Sequence, residues 1–532
     1  MTTPFLDSSL RGRSLIGGDL GGDSAGIFHG INPATEEKLD PPYHTATLEE
    51  TRRAARLAGE AFAIYRRTTG AQRAAFLREI ASQIETLGDA LIKRAALETA
   101  LPDARLNGER DRTCGQLRMF ANLVEEGSWV NARIDQGNPE RKPLPKPDIR
   151  WMLQAIGPVA VFGPANFPLA FGVAGGDTAS ALASGCPVVV KAHPSHPGTS
   201  ELVGHAVRRA VIESGFPEGV FSLLFDSGKE AGIVLVGCPE IKAVGFTGSQ
   251  RAGRALYDLA ASRSEPIPVF AEMSSINPVF ILPGALRERG DRIAEGLQAS
   301  VTLGVGQFCT NPGLVLMEKS PASEEFSRRL AGLMAGSPSG IMLNRNIRTA
   351  YDNGLAKWRS HAKVQVLVAP GESGVRASAA LFQTDASTFF DNPELAEEIF
   401  GPATLMVRGT RDELLRVAAK LEGQLTATVH GTDEDFGEYQ DLISVLETKA
   451  GRLLFNGYPT GVEVCSSMNH GGPYPATTDS RFTSVGTAAI YRFARPICYQ
   501  NCTQAQLPPE LRDGNPLKIR RSIDGKFDAA MP

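Results

Sequence analysis

The stretch AIGPVAVFGPANFPLAFGVAGGDTASALASGCPVVVKA, residues 155–192, decides the fold. Its opening, AIGPVAVFG (155–163), is a short apolar run and reads as a strand. VAGGDTASALASG (173–185) reads as a helix, and PVVVKA (187–192) as a second strand. Downstream the alternation continues: TSELVGHAVRRAVIESG (199–215) helix, VFSLLF (220–225) strand, a helix through AGIVLV (231–236), and AVGFTG (243–248) strand. Strands and helices alternating at this spacing imply βαβ units around a parallel sheet. Such sheets bind ligands outside the carboxyl ends of their strands. PVFAEM (268–273) and PVFILP (278–283) begin a second αβ region that reaches to about residue 485.

Upstream, residues 47–130 read as helical, with Ala, Leu and Phe at helical spacing among Arg and Glu and with Gly88 as a joint. Residues 131–150 are rich in proline and charge, which fits a loop or an extended arm reaching another subunit. RFTSVGTAAIYRFARPICYQ (481–500) reads as extended chain, and the polar stretch from 506 as a surface tail.

A chain of 532 residues is too long for one core. With 42% hydrophobic and 21% charged residues it has an ordinary globular composition. A net charge of −4 gives no footprint for nucleic acid or an anionic membrane. The first residues lack a leader-like apolar core, and no apolar run is long enough to span a bilayer. The seven cysteines are odd in number and widely spaced, which argues against a disulfide framework and for a reducing, cytoplasmic setting. Cys498 and Cys502 have no second Cys/His pair nearby, so they read as incidental thiols, and no metal is expected.

Several short segments carry reactive groups. In GQFCTNPG (306–313), Cys309 stands among glycines and a proline that let substrate approach a thiol closely. Read alone, the segment favours a buried structural cysteine over a nucleophile. In AEMSS (271–275), Glu272 ends a strand, where a carboxylate can act as a general base or simply meet solvent. In FGPANFP (162–168), Asn166 offers an amide to a developing oxyanion, or caps a turn. Lys191 ends a strand and can meet a ribose or phosphate. Gly248 and Gly253 open a helix whose N–H groups suit a pyrophosphate. Neither a P-loop lysine nor a G-x-G-x-x-G after a strand is present, which excludes the usual kinase and Rossmann fingerprints. In EEIFGP (397–402), Glu398 can hold a ribose diol and Phe400 can pack on a flat ring.

Taken in order, PANFP, a strand-ending Lys, FTGS, a Glu after an apolar strand, GQxC and ExFGP resemble the aldehyde dehydrogenase superfamily, from about residue 30 to about 500. The resemblance implies two parallel-sheet αβ domains plus a small β oligomerisation element. The dinucleotide-binding domain would comprise 1–130 and 153–271, and the catalytic domain 272–485. The oligomerisation element would comprise 131–152 and 486–505, with 506–532 as tail, in a homodimer or homotetramer. It further implies Cys309 as nucleophile, Glu272 as the base that activates hydrolytic water, and Asn166 as the oxyanion donor with Phe167 beside it on the substrate side. Lys191, Thr247, Gly248, Ser249, Glu398 and Phe400 would meet the cofactor. A Glu at position 272 points to hydrolysis rather than acyl transfer to coenzyme A. Two departures stand out: Met273-Ser274-Ser275 where the family usually has Leu-Gly-Gly, and Ala165 in place of the usual Trp.

Many NAD-preferring members carry a Glu where this chain has Pro194, and NADP users often carry a basic residue where it has Lys229. NADP is therefore expected, with NAD usable. ERDRTCGQLRMFANLVEEG (109–127), KPLPKPDIRW (142–151), VKAHPSHPGTS (190–200) and MNHGGPYPATTDSRFTSVG (468–486) resemble 2-oxoglutarate semialdehyde (2,5-dioxopentanoate) dehydrogenases. Fatty-aldehyde or broad-range members are the alternative, and a non-catalytic binding protein that kept the fold is a further one. Arg112, Gln116 and Phe120 share one helix face, so Arg112 with Gln116 could hold a 2-oxo-carboxylate tail. Arg112 could instead bridge to Glu109 or Glu125.

Overall fold

The computed structural model describes residues 10–23, 26–371 and 374–527. Residues 1–9, the start of the segment without a leader-like core, and 528–532, the end of the expected tail, lie outside them.

The first sheet is seven-stranded. Its five parallel strands stand in the order Val269–Glu272, Ala243–Thr247, Val159–Phe162, Val188–Lys191 and Phe221–Leu224. An antiparallel hairpin of Leu15–Ile16 and Asp19–Leu20 extends it. Side chains alternate between two cores, as the two-residue period of a strand requires. Val159, Val161, Val188 and Val190 face the helices Gly70–Thr86, Gly176–Ser184 and Pro197–Glu213. Ala160, Phe162 and Val189 face Leu48–Tyr65, Glu230–Gly237 and Gln250–Ala261. The helical reading of 47–130 appears as four helices, and Gly88 turns between two of them at φ +51°.

The second sheet is also seven-stranded, in the order Gln365–Val368, Ala380–Asp385, Ala403–Gly409, Leu314–Glu318, Val279–Ile281, Gln424–His430 and Ala450–Phe455. All of its neighbours are parallel except the Gln365–Val368 edge. Its two faces again fill separate cores.

A third sheet forms at the margin of the first core. Arg133–Asp135, from the proline- and charge-rich stretch, pairs antiparallel with Ile149–Ala155, which pairs along its length with Ala494–Gln500. Two expectations need correction here. Within 481–500 only the end is extended, because Thr487–Phe493 is a 3-10 helix that buries Ala489, Ile490 and Phe493 in the first core. The stretch from 506 is not a loose tail. Leu507, Leu511 and Ile519 are buried, and Ser522–Ile523 joins the third sheet parallel to Arg133–Ile134. Three widely spaced apolar anchors in a polar segment leave no periodicity to read, yet they suffice to hold it down. Among the described residues no helix is long and apolar enough to cross a membrane.

Candidate active site

The strand order of the first sheet lays out the site. The parallel strands start in mid-sheet with Val159–Phe162, move outward through two strands to the hairpin at the edge, then return to add Ala243–Thr247 and Val269–Glu272 on the other side. The direction of winding reverses beside Val159–Phe162, and at such a switch point the connecting loops part to leave a crevice. Register aligns Glu272 with Thr247, Phe162 with Phe246 and Lys191, and Lys191 with Leu224. Asn166 follows Phe162 by a short loop. Groups separated by up to a hundred residues therefore line one carboxyl edge.

Cys309 reaches this edge from the second αβ unit on a strained loop. Gly304, Val305 and Gly306 all have positive φ, a costly conformation for a β-branched residue such as Val305. A Cβ on Gly306 would lie 2.3 Å from the Gly401 backbone, so only glycine lets the GQFC loop cross the EIFGP loop. Asn277, fully buried with φ +49°, donates to the carbonyls of Cys309 and Asn311 at 2.9 Å each. Asn166 donates its amide to the Gln307 carbonyl at 2.9 Å, two residues before the thiol. That bond uses one amide hydrogen and leaves the other for a ligand.

The reactive centre includes a residue that the sequence reading did not single out. His470 is buried, with Nε2 at 2.9 Å from Glu272 Oε1 and 3.5 Å from Cys309 Sγ. Ser484 donates to Glu272 Oε2 and also to the His470 carbonyl, tying the carboxylate to the histidine loop. Burial pushes the Glu272 carboxyl up, but the His470 charge with hydrogen bonds from His470, Ser484 and Cys309 outweighs it, and Glu272 titrates below the ordinary range. Burial, and then the Glu272 carboxylate, push the Cys309 thiol well up. The resting sulfur is therefore protonated and needs help to ionise. His470 lay within the quoted MNHGGPYPATTDSRFTSVG segment, but no local pattern marks a histidine whose partners are some 160 and 200 residues away.

On the cofactor side, Thr247 ends its strand with a buried hydroxyl that has no hydrogen-bond partner, and Gly248 N–H donates to the Glu272 carbonyl at 3.1 Å. Ser249 caps the helix Gln250–Ala261 by accepting from Ala252 N–H. Lys191 is lowered by burial and has no carboxylate in ion-pair contact among the described residues; Asp226 acts on it only from a distance. Lys229 is exposed at the head of Glu230–Gly237. Glu398 is pushed up to about 7 by burial, against hydrogen bonds from Ser274 and the Ser275 backbone. The family-atypical Ser274 thus supplies a partner for Glu398. Phe400 is half-buried two residues on. An unsatisfied hydroxyl, an unpaired ammonium and an open helix N-terminus at one strand edge fit a dinucleotide.

On the opposite side, Phe167 meets Phe171 and Phe308 edge-on, with ring centroids 5.5 and 5.6 Å apart. Arg105 lies over Phe167 and Phe308 at 4.7 and 4.8 Å and contacts Glu109 at 3.5 Å. Arg112 bridges neither expected carboxylate, since Glu109 faces Arg105 and Glu125 takes Arg78. Its Nη1 instead donates to the Val462 carbonyl at 3.0 Å, and its Nε is buried without a partner. Gln116 and Phe120 do not join it in the crevice: Gln116 is buried with its amide toward the Ala170 carbonyl, and Phe120 lies in the first core. A second arginine, unread in the sequence, reaches the same loop from the strand Ala450–Phe455. Arg452 donates to Pro459 and Gly461 carbonyls at 2.8 and 3.2 Å, also with a buried, unpartnered Nε. Neither guanidinium has an ion pair among the described residues, and both act electrostatically on Cys309.

Comparison with known proteins agrees with this geometry. The model of the aldehyde dehydrogenase family matches residues 22–474. The chain is 52% identical over 523 residues to alpha-ketoglutaric semialdehyde dehydrogenase 2 of Azospirillum brasilense, covering 98% of this chain and 100% of that one. It is 47% identical to the alpha-ketoglutaric semialdehyde dehydrogenase of Acinetobacter baylyi, covering 97% and 99%. Among solved structures, betaine aldehyde dehydrogenase of Staphylococcus aureus in complex with NAD+ superimposes with a TM-score of 0.79 at 21% identity, covering 94% of this chain and 97% of that one.

Proposed function

The chain belongs to the aldehyde dehydrogenase family and is an NAD(P)-dependent aldehyde dehydrogenase, and from that premise we propose that it oxidises 2-oxoglutarate semialdehyde to 2-oxoglutarate. The observation that carries the substrate is the pair of guanidiniums, Arg112 and Arg452, held without carboxylate partners on the loop of residues 459–462. Partly buried cations without counter-ions are costly unless a ligand anion completes them. A carboxylate with a neighbouring 2-oxo group offers acceptors for both forks.

Cys309 Sγ attacks the aldehyde carbon once its proton has moved toward His470 Nε2, which lies 3.5 Å from the sulfur and 2.9 Å from Glu272 Oε1. The free Asn166 amide hydrogen and the Cys309 backbone N–H hold the resulting oxyanion. A nicotinamide, when bound, would supply the two-electron acceptor needed to bring the adduct carbon to the thioester level. Lys191, Thr247, Gly248, Ser249, Glu398 and Phe400 are the residues that would hold it. Glu272 then takes a proton from water, the hydroxide adds to the thioester, and Cys309 leaves as thiolate with release of the acid.

NADP is the proposed preference. Lys191 lacks a close counter-ion, Lys229 stands exposed one strand further, and Pro194 replaces a carboxylate that would repel a 2′-phosphate. The open edge of Ala494–Gln500 supports assembly of identical subunits through the third sheet. The deciding experiment is a panel of 2-oxoglutarate semialdehyde, glutarate semialdehyde and long-chain aldehydes, run with NAD and with NADP. The highest kcat/KM is expected for 2-oxoglutarate semialdehyde with NADP. Equal or better turnover of the long-chain aldehydes would overturn the substrate reading.

A further inference from the structure

Glu272, Cys309 and His470 each present one ligand atom, and these atoms all lie within 4.8 Å of one another. They are a carboxylate oxygen, a thiol sulfur and an imidazole nitrogen, the donor types that zinc selects. Zinc bonds of about 2.0 Å to nitrogen and oxygen and about 2.3 Å to sulfur define a tetrahedron with a nitrogen–sulfur edge of about 3.5 Å and a nitrogen–oxygen edge of about 3.3 Å. In the protein, Nε2 to Sγ is 3.5 Å and Nε2 to Oε1 is 2.9 Å. The two edges that meet at the imidazole nitrogen are thus within a few tenths of an ångström of a zinc tetrahedron, and the third, between the carboxylate oxygen and the sulfur, is no longer than 4.8 Å. Glu272 is buried with Oε1 facing His470 Nε2 at 2.9 Å, and Ser484 orients the other oxygen as an outer-shell partner would.

We propose that Cys309, His470 and Glu272 form a reversible inhibitory site for zinc ion. Binding replaces the thiol proton by a sulfur–zinc bond and releases that proton to solvent; the imidazole binds neutral, the carboxylate binds ionised, and nothing is oxidised or reduced. One ion removes the nucleophile, the group that assists its ionisation and the hydrolytic base together. Chelation restores all three. The inference is independent of which aldehyde is the substrate.

Cobalt(II) is the spectroscopic probe, titrated into cofactor-free enzyme that has been treated with a chelator. A thiolate–cobalt charge-transfer band in the near ultraviolet is expected at one equivalent, displaced by zinc. Zinc at one equivalent should abolish activity and slow iodoacetamide labelling of Cys309, read by peptide mapping, with both reversed by EDTA. Cys309→Ser should lose the band, and His470→Ala, which removes a direct ligand, should weaken metal binding by more than the roughly tenfold to hundredfold that loss of an outer-shell partner costs, read from cobalt absorbance rather than activity. A band that persists in Cys309→Ser, unchanged affinity in His470→Ala, or zinc that leaves wild-type Cys309 labelling unslowed would overturn the proposal. The labelling experiment needs no variant and so does not depend on a mutant's folding.

Discussion

Removing the His470 imidazole leaves Glu272 with burial as the dominant influence and without its main favourable charge. Its carboxyl then titrates higher. In the proposed mechanism Glu272 acts as a base only when ionised, so the acid limb of the kcat/KM profile of His470→Ala should move to higher pH, with a fall of roughly a hundredfold at neutral pH. An acid limb that stays in place would mean that His470 does not act through Glu272. Glu398 runs the other way: burial raises it from 4.5 to about 7. The stability associated with its protonated form is complete below its unfolded value and is lost as pH rises through about 7. At pH 8 the buried carboxylate costs on the order of 3 kcal/mol. Cofactor-free Glu398→Gln should therefore melt above wild type at pH 8 and level with it at pH 5, as scanning calorimetry would read. These effects were not legible in the sequence. The residue types at 272 and 398 were, but burial and the proximity of His470 are facts of packing.

At the scale of elements, strand register does what no motif can do alone. Thr247 pairs with Glu272, and Phe162 with Lys191, because parallel strands align the ends of successive βα units. The sequence marked Glu272 and Lys191 by their positions at strand ends, which hydrophobic runs delimit clearly, whereas Thr247 came from the family resemblance. The loop of residues 459–462 was not legible, because its function lies in backbone carbonyls that carry no side-chain signature. Those carbonyls anchor Arg112 from a helix and Arg452 from a strand. Arg452→Gln should raise KM for 2-oxoglutarate semialdehyde about tenfold or more, on the scale of a lost charged hydrogen bond, and leave KM for an uncharged aldehyde of similar length nearly unchanged. Equal losses on both substrates would assign Arg452 to stapling the loop. Gln116 illustrates the converse: helical spacing correctly set it on one face with Arg112, but that face curves from the crevice into the core.

For the whole molecule, the stretch from 506 matters more than its composition implies. Leu507, Leu511 and Ile519 are buried, and Arg150 depends on the Leu511 carbonyl and Asp513. Truncation after residue 505 should cost on the order of 5 kcal/mol from lost apolar burial, seen as a lower melting temperature and reduced recovery of folded protein. An unchanged melting temperature would show the segment to be dispensable. The sequence by itself determined the alternation of strands and helices, hence the two parallel sheets, because apolar periodicity is a local property of the chain. It also singled out Cys309, Glu272 and Asn166 as candidates through the order of six motifs along the chain, since each segment read alone stays open. Tertiary structure alone decided that His470 stands between the thiol and the carboxylate, that two arginines share one loop without counter-ions, and that the last segment joins a sheet. Each of these depends on contacts between segments far apart in the chain, and such contacts are fixed only when the whole core closes.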